Sequence, residues 1–293
     1  MARSLLTELL REGAAHLAEI RSDAPQLEAE HLLAHLLRIP RARLALADDA
    51  ELTPSLVAAY RELLARRSAR EPLQYVLGHT PFADLDLQVG PGVLIPRPET
   101  EVLVGELLRE WRGGERSGRR GSPFDLIDVG TGSGAILYAL LSALPEWRGL
   151  GVDRSRAALE WARRNRPTAL RERASLVAGD LLESIRLPRG SVWIVAANLP
   201  YIPRGELSNL EPEVRDHEPW LALDGGPDGL DLVRRVHPVA AELLAPGGLL
   251  ALELATDQPE RVARELHAGG FFPSLRIYSD WTSRPRGVIA RRG

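Results

Sequence analysis

Two periodicities divide the chain. From Ser4 to about Leu77, apolar positions recur at spacings of three and four: Leu5, Leu6, Leu9 and Leu10, then Leu27, His31, Leu32, His35 and Leu36, then Leu56, Tyr60, Leu63 and Leu64. That spacing lines one face of an α-helix and predicts a small helical bundle. Helix starts are marked at Asp23 with Pro25 just inside and at Thr53 with Pro54 just inside, since a short polar side chain caps free N–H groups and proline needs none in the first turn. His31 and His35 stand one turn apart with no third ligand near, which favours helix packing over a metal site. From Thr80 to Ile95 the period becomes two, with Phe82, Leu85, Leu87 and Val89 alternating against Ala83, Asp84, Asp86 and Gln88, a strand or hairpin joining the two halves. Pro96 and Pro98 then keep a helix from starting before Glu99.

After a helix from about Glu99 to Trp111, the polar, glycine- and arginine-rich stretch Gly113 to Ser122 reads as an exposed loop. Strands are predicted at Phe124 to Val129, Gly149 to Asp153, Ser175 to Ala178, Val192 to Ala197, Leu249 to Leu254, Ser274 to Tyr278 and Gly287 to Arg291, with helices between most of them. Several are short apolar runs without alternation, as expected of strands covered on both faces. The class is α/β, doubly wound. The expected organisation is a helical domain at residues 1–78, a β-hairpin linker at 79–97 and a larger domain at 98–293.

Composition removes options. With 44% hydrophobic and 26% charged residues the chain can bury a core. A net charge of -3 gives no overall attraction to nucleic acid or anionic lipid. The absence of cysteine excludes disulfides and thiolate chemistry and fits a reducing compartment, and the absence of lysine excludes a catalytic amine. Met1 to Leu10, interrupted by Arg3 and Glu8 with Arg11 following, reads as an amphipathic helix and not a signal peptide, and no apolar run is long enough to cross a bilayer. A cytoplasmic protein is expected, without a membrane partner or a bound metal.

The chemistry concentrates in four places. Asp128-Val129-Gly130-Thr131-Gly132-Ser133-Gly134 follows a predicted strand and opens the helix running through Ile136, Leu137 and Leu140. Glycines let a ligand lie against the main chain, and a helix N-terminus offers unpaired N–H groups, so the loop indicates a nucleoside cofactor without choosing which. Asp153, ending the next strand, can accept hydrogen bonds from both ribose hydroxyls. Asp180, ending the third, can meet an adenine amino group while Leu181 covers the ring, or can serve as a helix N-cap. Asn198-Leu199-Pro200-Tyr201 follows the fourth strand, at the carboxyl edge where ligands of open α/β sheets bind.

That tetrapeptide fits methylation of an amide. An amide nitrogen is a poor nucleophile because its lone pair is delocalised, so its protons must be held with the nitrogen facing the methyl group. The Asn198 side-chain oxygen can accept one N–H and the Leu199 main-chain carbonyl the other. Pro200 restricts Leu199 to an extended conformation, and Tyr201 offers a flat wall. Arg97 and Glu99 could line the substrate mouth or pair with each other, and Glu253, ending the fifth strand, could stand behind the site.

These motifs, together with Glu71-Pro72-Leu73-Gln74-Tyr75, Leu94-Ile95-Pro96-Arg97-Pro98-Glu99-Thr100-Glu101, Glu213-Val214-Arg215, Glu218-Pro219 and Gly225-Gly226-Pro227-Asp228-Gly229-Leu230, make the chain resemble the protein-(glutamine-N(5)) methyltransferases often called PrmC or HemK. The resemblance spans nearly the whole chain. It implies a seven-stranded class I S-adenosylmethionine-dependent methyltransferase domain, Rossmann-like, behind a helical domain that engages the substrate. It further implies methyl transfer from S-adenosyl-L-methionine, leaving S-adenosyl-L-homocysteine, to the glutamine of the Gly-Gly-Gln motif in class I peptide chain release factors. Residues 130 to 134, Asp153, Asp180, Leu181 and Asn198 would face the cofactor, and Asn198 to Tyr201 the substrate. A monomer without direct nucleic-acid partner is expected. The family's tetrapeptide is usually Asn-Pro-Pro-Tyr, so Leu199 departs from it, and an aromatic residue often stands where Leu181 does. Asn-Leu-Pro-Tyr also resembles the ribosomal RNA adenine dimethyltransferases, which makes adenine-N(6) methylation of RNA one alternative. Glutamine methylation of a ribosomal protein is another.

Overall fold

The two periodicities become two compact units in the computed structural model, which describes residues 5–47, 49–111 and 122–293. One unit comprises Met1–His79 with Glu211–His217; the other comprises Thr80–Leu210 and Glu218–Gly293.

In the first unit α1 (Leu5–Glu19), α2 (Pro25–Leu37) and α3 (Pro54–Ser68) pack around Leu9, Leu17, Leu32, Leu33 and Tyr60. Gly13 on α1 makes room for the Tyr60 ring, whose hydroxyl donates to the Leu9 carbonyl at 3.3 Å. The Thr53 hydroxyl accepts from the Leu56 N–H at 3.3 Å and caps α3 as predicted. Asp23 does not cap α2: the helix begins at Pro25, its cap position is Ala24, and Asp23 lies one residue too far out. His35 stacks on His79 at 5.8 Å between ring centroids, and burial holds both His31 and His35 below the usual imidazole range. A short α4 (Leu73–Leu77) ends at Gly78, whose φ of +80° suits glycine. Buried Arg67 pairs with Glu28 at 2.9 Å and with Glu213, on the short helix Pro212–His217, at 3.0 Å.

The second unit starts from the hairpin of β1 (His79–Phe82) and β2 (Leu85–Gln88) and from α5 (Pro98–Trp111). Its sheet strands are β3 (Leu126–Val129), β4 (Gly149–Asp153), β5 (Ala174–Ala178), β6 (Val192–Asn198), β7 (Leu244–Glu253), β8 (Ser274–Ser279) and β9 (Pro285–Arg291). Between them in this unit run α6 (Ala135–Ala143), α7 (Arg156–Asn165), α9 (Asp231–Leu243) and α10 (Pro259–Ala268), while α8, the Pro212–His217 helix, belongs to the first unit. The strand order is β5-β4-β3-β6-β7-β9-β8, parallel from β5 to β7 and antiparallel at β9 and β8.

All seven predicted strands are present. The longest difference is at β7, which enters the sheet at Leu244 and not Leu249, because a bulge at the Gly247 turn (φ +81°) absorbs the extra residues. Successive strand residues serve opposite cores: Leu126, Ile194 and Ala196 pack with α5 and α6, whereas Ile127, Val129, Val195 and Ala197 pack with α9 and α10. Coverage on both faces is why these strands carry apolar runs. Phe82 and Leu87 of the hairpin insert into the first of these cores. The predicted loop at Gly113 to Ser122 falls, but for Ser122, outside the described residues. Among the described residues no helix is long and apolar enough to cross a membrane.

Candidate active site

Parallel connections leave β3 in one direction and β6 joins on its other side, so a crevice opens at their carboxyl ends. There a cleft of about 310 Å³ is lined from one side by Gly130, Thr131, Gly132, Ser133, Asp153, Asp180 and Leu181, and from the other by Asn198, Leu199 and Pro200. Residues far apart in sequence thus meet in one cavity.

The glycine loop is built around a buried carboxyl. Asp128 Oδ2 accepts from the Thr131 hydroxyl at 2.6 Å and from the Leu137 N–H at 3.1 Å, tying the end of β3 to the first turn of α6. Its other oxygen is buried without a partner, and burial pushes the carboxyl up to about 7. Gly130 has φ +71°, and a β-carbon there would sit 3.2 Å from the Leu199 side chain. Gly134, with φ +87°, caps α6 beneath the Tyr138 ring and is not part of the cleft lining.

One expectation for this loop changes. Four of its N–H groups are already engaged: those of Gly130 and Thr131 donate to the Val152 carbonyl, that of Gly132 to Asp153 and that of Gly134 to the Thr131 carbonyl. Closing the tight turn consumes these donors. What the loop offers a ligand is the close approach of bare backbone.

Asp153 keeps capacity in reserve. Each carboxylate oxygen accepts one backbone N–H, Oδ2 from Gly132 at 2.9 Å and Oδ1 from Ser155 at 2.8 Å, leaving lone pairs for further donors. Burial raises its pKa above the usual carboxylate range. Asp180 lines the cleft but is engaged by Arg235 at 2.8 Å, and no α-helix follows it, so it is not an N-cap. Leu181 is buried at φ +52°, a left-handed conformation that costs a branched residue on the order of 1 kcal/mol. The packing that imposes this conformation sets its side chain in the cleft wall.

On the opposite wall, Asn198 is the last residue of β6, paired in register with Glu253 of β7. The Asn198 amide nitrogen donates to the Thr100 hydroxyl at 3.0 Å. Behind the tetrapeptide, the Gly225 N–H donates to the Ile202 carbonyl at 2.9 Å, and Gln258 Nε2 donates to the Tyr201 carbonyl at 2.8 Å. Tyr201 is not part of the cleft lining; it is half-buried, and desolvation, with the charge of nearby Glu253, pushes its hydroxyl up to about 12. Arg97 and Glu99 do not pair with each other: Arg97 bonds buried Glu218, whose other oxygen accepts the Ile95 N–H at 3.2 Å, and Glu99 lies 3.4 Å from Arg286.

The family described as "PrmC N-terminal domain" matches residues 8–78, and that described as "Methyltransferase domain" matches residues 126–217. A release factor glutamine methyltransferase of Moorella thermoacetica is 41% identical, covering 98% of this chain and 98% of its own. The chain belongs to the release factor glutamine methyltransferases. A second member, from Geobacter sulfurreducens, is 43% identical over 87% of this chain and 86% of its own. The T. thermophilus 16S rRNA N2 methyltransferase solved with AdoMet and guanosine is 18% identical with a TM-score of 0.50, over 73% of this chain and 50% of that one. That likeness concerns the fold, which is the class I S-adenosylmethionine-dependent methyltransferase fold.

For a release factor glutamine methyltransferase the cleft needs a nucleoside end and an amide end. The residues present fit the nucleoside end: a side chain at Gly130 would crowd Leu199, and Asp153 retains acceptor capacity beside the loop. The sequence did not single out Thr100, which lines the cleft and contacts Asn198, nor the rim formed by Pro219, Trp220 and Leu221. Trp220 and Leu221 stand 57% and 44% exposed, and two adjacent apolar residues in a proline-flanked segment were the one available signal.

Proposed function

We propose that this chain transfers the methyl group of S-adenosyl-L-methionine to the side-chain amide nitrogen of the glutamine in the Gly-Gly-Gln motif of class I peptide chain release factors, leaving S-adenosyl-L-homocysteine. The observation that carries the reading is the meeting of Asn198-Leu199-Pro200 with Gly130 to Ser133 and Asp153 across one cleft. When bound, S-adenosylmethionine supplies a methyl group on positively charged sulfur, an electrophile that needs no metal to activate it.

Asp153 would hold the ribose hydroxyls, Asp180 and Leu181 the adenine, and residues 130 to 133 the backbone-facing edge of the cofactor. On the other wall the Asn198 side-chain oxygen and the Leu199 carbonyl would accept the two amide protons, aiming the nitrogen lone pair across the cleft. Orientation of this kind can contribute on the order of 7 to 11 kcal/mol where a reaction is limited by alignment. The nitrogen sheds one proton as its new bond to carbon forms, and that proton ends in water. The protein is read as a monomer acting in the cytoplasm, where release factors work, and the absence of cysteine agrees with that compartment.

The test is incubation with tritiated S-adenosylmethionine and separated substrates: a release factor, its Gly-Gly-Gln to Gly-Gly-Ala variant, a ribosomal protein fraction and ribosomal RNA. Label is expected on the release factor and absent from its Gly-Gly-Ala variant. Label on RNA or on a ribosomal protein instead would overturn the assignment.

A further inference from the structure

An asparagine side chain presents an acceptor at one end and two donors at the other, with nearly the same shape either way round. The role given above to Asn198 requires the oxygen to face the cleft. A half-turn about the Cβ–Cγ bond would present N–H groups to an amide that itself has N–H groups to offer, and the site would repel what it must hold. Something has to fix the orientation, and the strand ends supply it.

We infer that Thr100 and Glu253 form a lock behind Asn198 that takes up its amide protons and leaves only its oxygen for the substrate, both acting as positioning residues. The inference rests on the function proposed above for this cleft. Thr100, in the first turn of α5, is buried and lies 3.0 Å from the Asn198 amide nitrogen. Glu253 ends β7 directly beside Asn198 in the parallel register and is itself buried, so its carboxyl shares the electrostatic surroundings of Thr100 and Asn198.

Proton counting then sets the direction of each bond. The Thr100 oxygen accepts from Asn198, and when Glu253 is ionised it can only accept, which leaves the single Thr100 proton for the carboxylate. The reversed asparagine would place its oxygen against Glu253 and against a hydroxyl whose proton is already committed. One Glu253 oxygen, Oε2, is buried without a partner, and burial pushes the carboxyl up to about 7. A group left in so unfavourable a place for folding is held there for some other reason, and orienting Asn198 is a reason the geometry provides.

The variants to compare are Thr100→Val, which keeps shape and loses the hydroxyl, and Thr100→Ser, which keeps the hydroxyl. Methyl transfer to a release factor is measured with calorimetric binding of S-adenosylmethionine, and exchange of the Asn198 side-chain amide protons is followed by NMR on the labelled full chain. The valine variant is expected to lose about 10- to 100-fold in kcat, in the range of one lost preorganised hydrogen bond. KM for the release factor and cofactor affinity should stay within about threefold, and the amide protons should exchange faster than in the parent chain; serine should restore both readouts. Equal losses in valine and serine variants, unchanged kcat in the valine variant, or amide protons that exchange freely in the parent chain would each overturn the lock. A parent chain that labels no release factor would instead sink the substrate assignment, and the exchange measurement would still decide the orientation of Asn198.

Discussion

On the nucleoside side of the cleft, Gly130 to Gly134 is shaped by near neighbours in the chain: Asp128 before it, Leu137 behind it and Asp153 at the end of the next strand. On the amide side, Asn198 to Tyr201 is shaped by distant residues, namely Thr100 on α5, Glu253 on β7, Gln258 beyond it and Gly225 in the turn that follows Asp224. A loop closed by its own neighbours keeps its form when another element shifts. A loop assembled from several elements answers to each of them. The nucleoside half should therefore fail through its own residues, and the amide half through remote ones as well as its own.

The strongest way to break this comparison is to strike each half at its centre. Asn198→Ala should lower kcat by roughly 10³-fold while leaving the Kd for S-adenosylmethionine within about threefold, since it removes an acceptor used only on the amide. Asp153→Ala should raise that Kd about 10- to 100-fold, or about 1.4 to 2.8 kcal/mol, because two sugar hydroxyls lose their partner. Calorimetry and tritium transfer on the same preparations separate the two effects. Equal loss of binding in both variants would show that the halves are not separable.

The pH dependence of stability probes the nucleoside half alone. Asp128 is raised from the usual carboxylate value to about 7, so its contribution favours the folded state at acid pH and is lost as pH rises through about 7. Between pH 5 and pH 8 this amounts to a loss on the order of 3 kcal/mol. Asp128→Asn keeps an acceptor for Thr131 and Leu137 but carries no charge, so the variant should show a flatter pH dependence of stability than the parent chain. Denaturant unfolding at the two pH values gives the comparison, and parallel slopes for the two chains would mean that Asp128 stays ionised in the fold.

The same contrast explains what the sequence revealed. The seven strands and the glycine loop were legible because their signals are local: apolar runs, a strand followed by spaced glycines, an aspartate at a strand end. Thr53 was readable as a cap by the same logic, and Asp23 misled because a cap depends on a single residue of offset. Asn198 was visible for its adjacent proline and tyrosine. Glu253 was legible as a strand-end carboxylate that could stand behind the site, whereas nothing local marks Thr100, a threonine in a first helical turn, which the packing of α5 brings to Asn198. Likewise the pairing of Arg97 with Glu218, and not with nearby Glu99, follows from a contact across more than a hundred residues that no spacing rule encodes.

The finest test concerns Leu199, where the family more often has proline. If the residue acts through its main-chain carbonyl, its side chain is free to differ, and Pro200 still restricts its backbone. Proline at 199 would in addition restrict Asn198 to extended conformations, and Asn198 already ends a strand. The leucine side chain is nonetheless buried, within the core cluster that includes Val233 and Leu252, and a β-carbon at Gly130 would lie only 3.2 Å from it. Leu199→Pro should then cost about 1 kcal/mol of stability through lost apolar contact, and change kcat for a release factor by no more than about threefold. A loss approaching that of Asn198→Ala would mean that the leucine side chain, by holding the amide wall against the glycine loop, is the one place where the two halves of the cleft depend on each other.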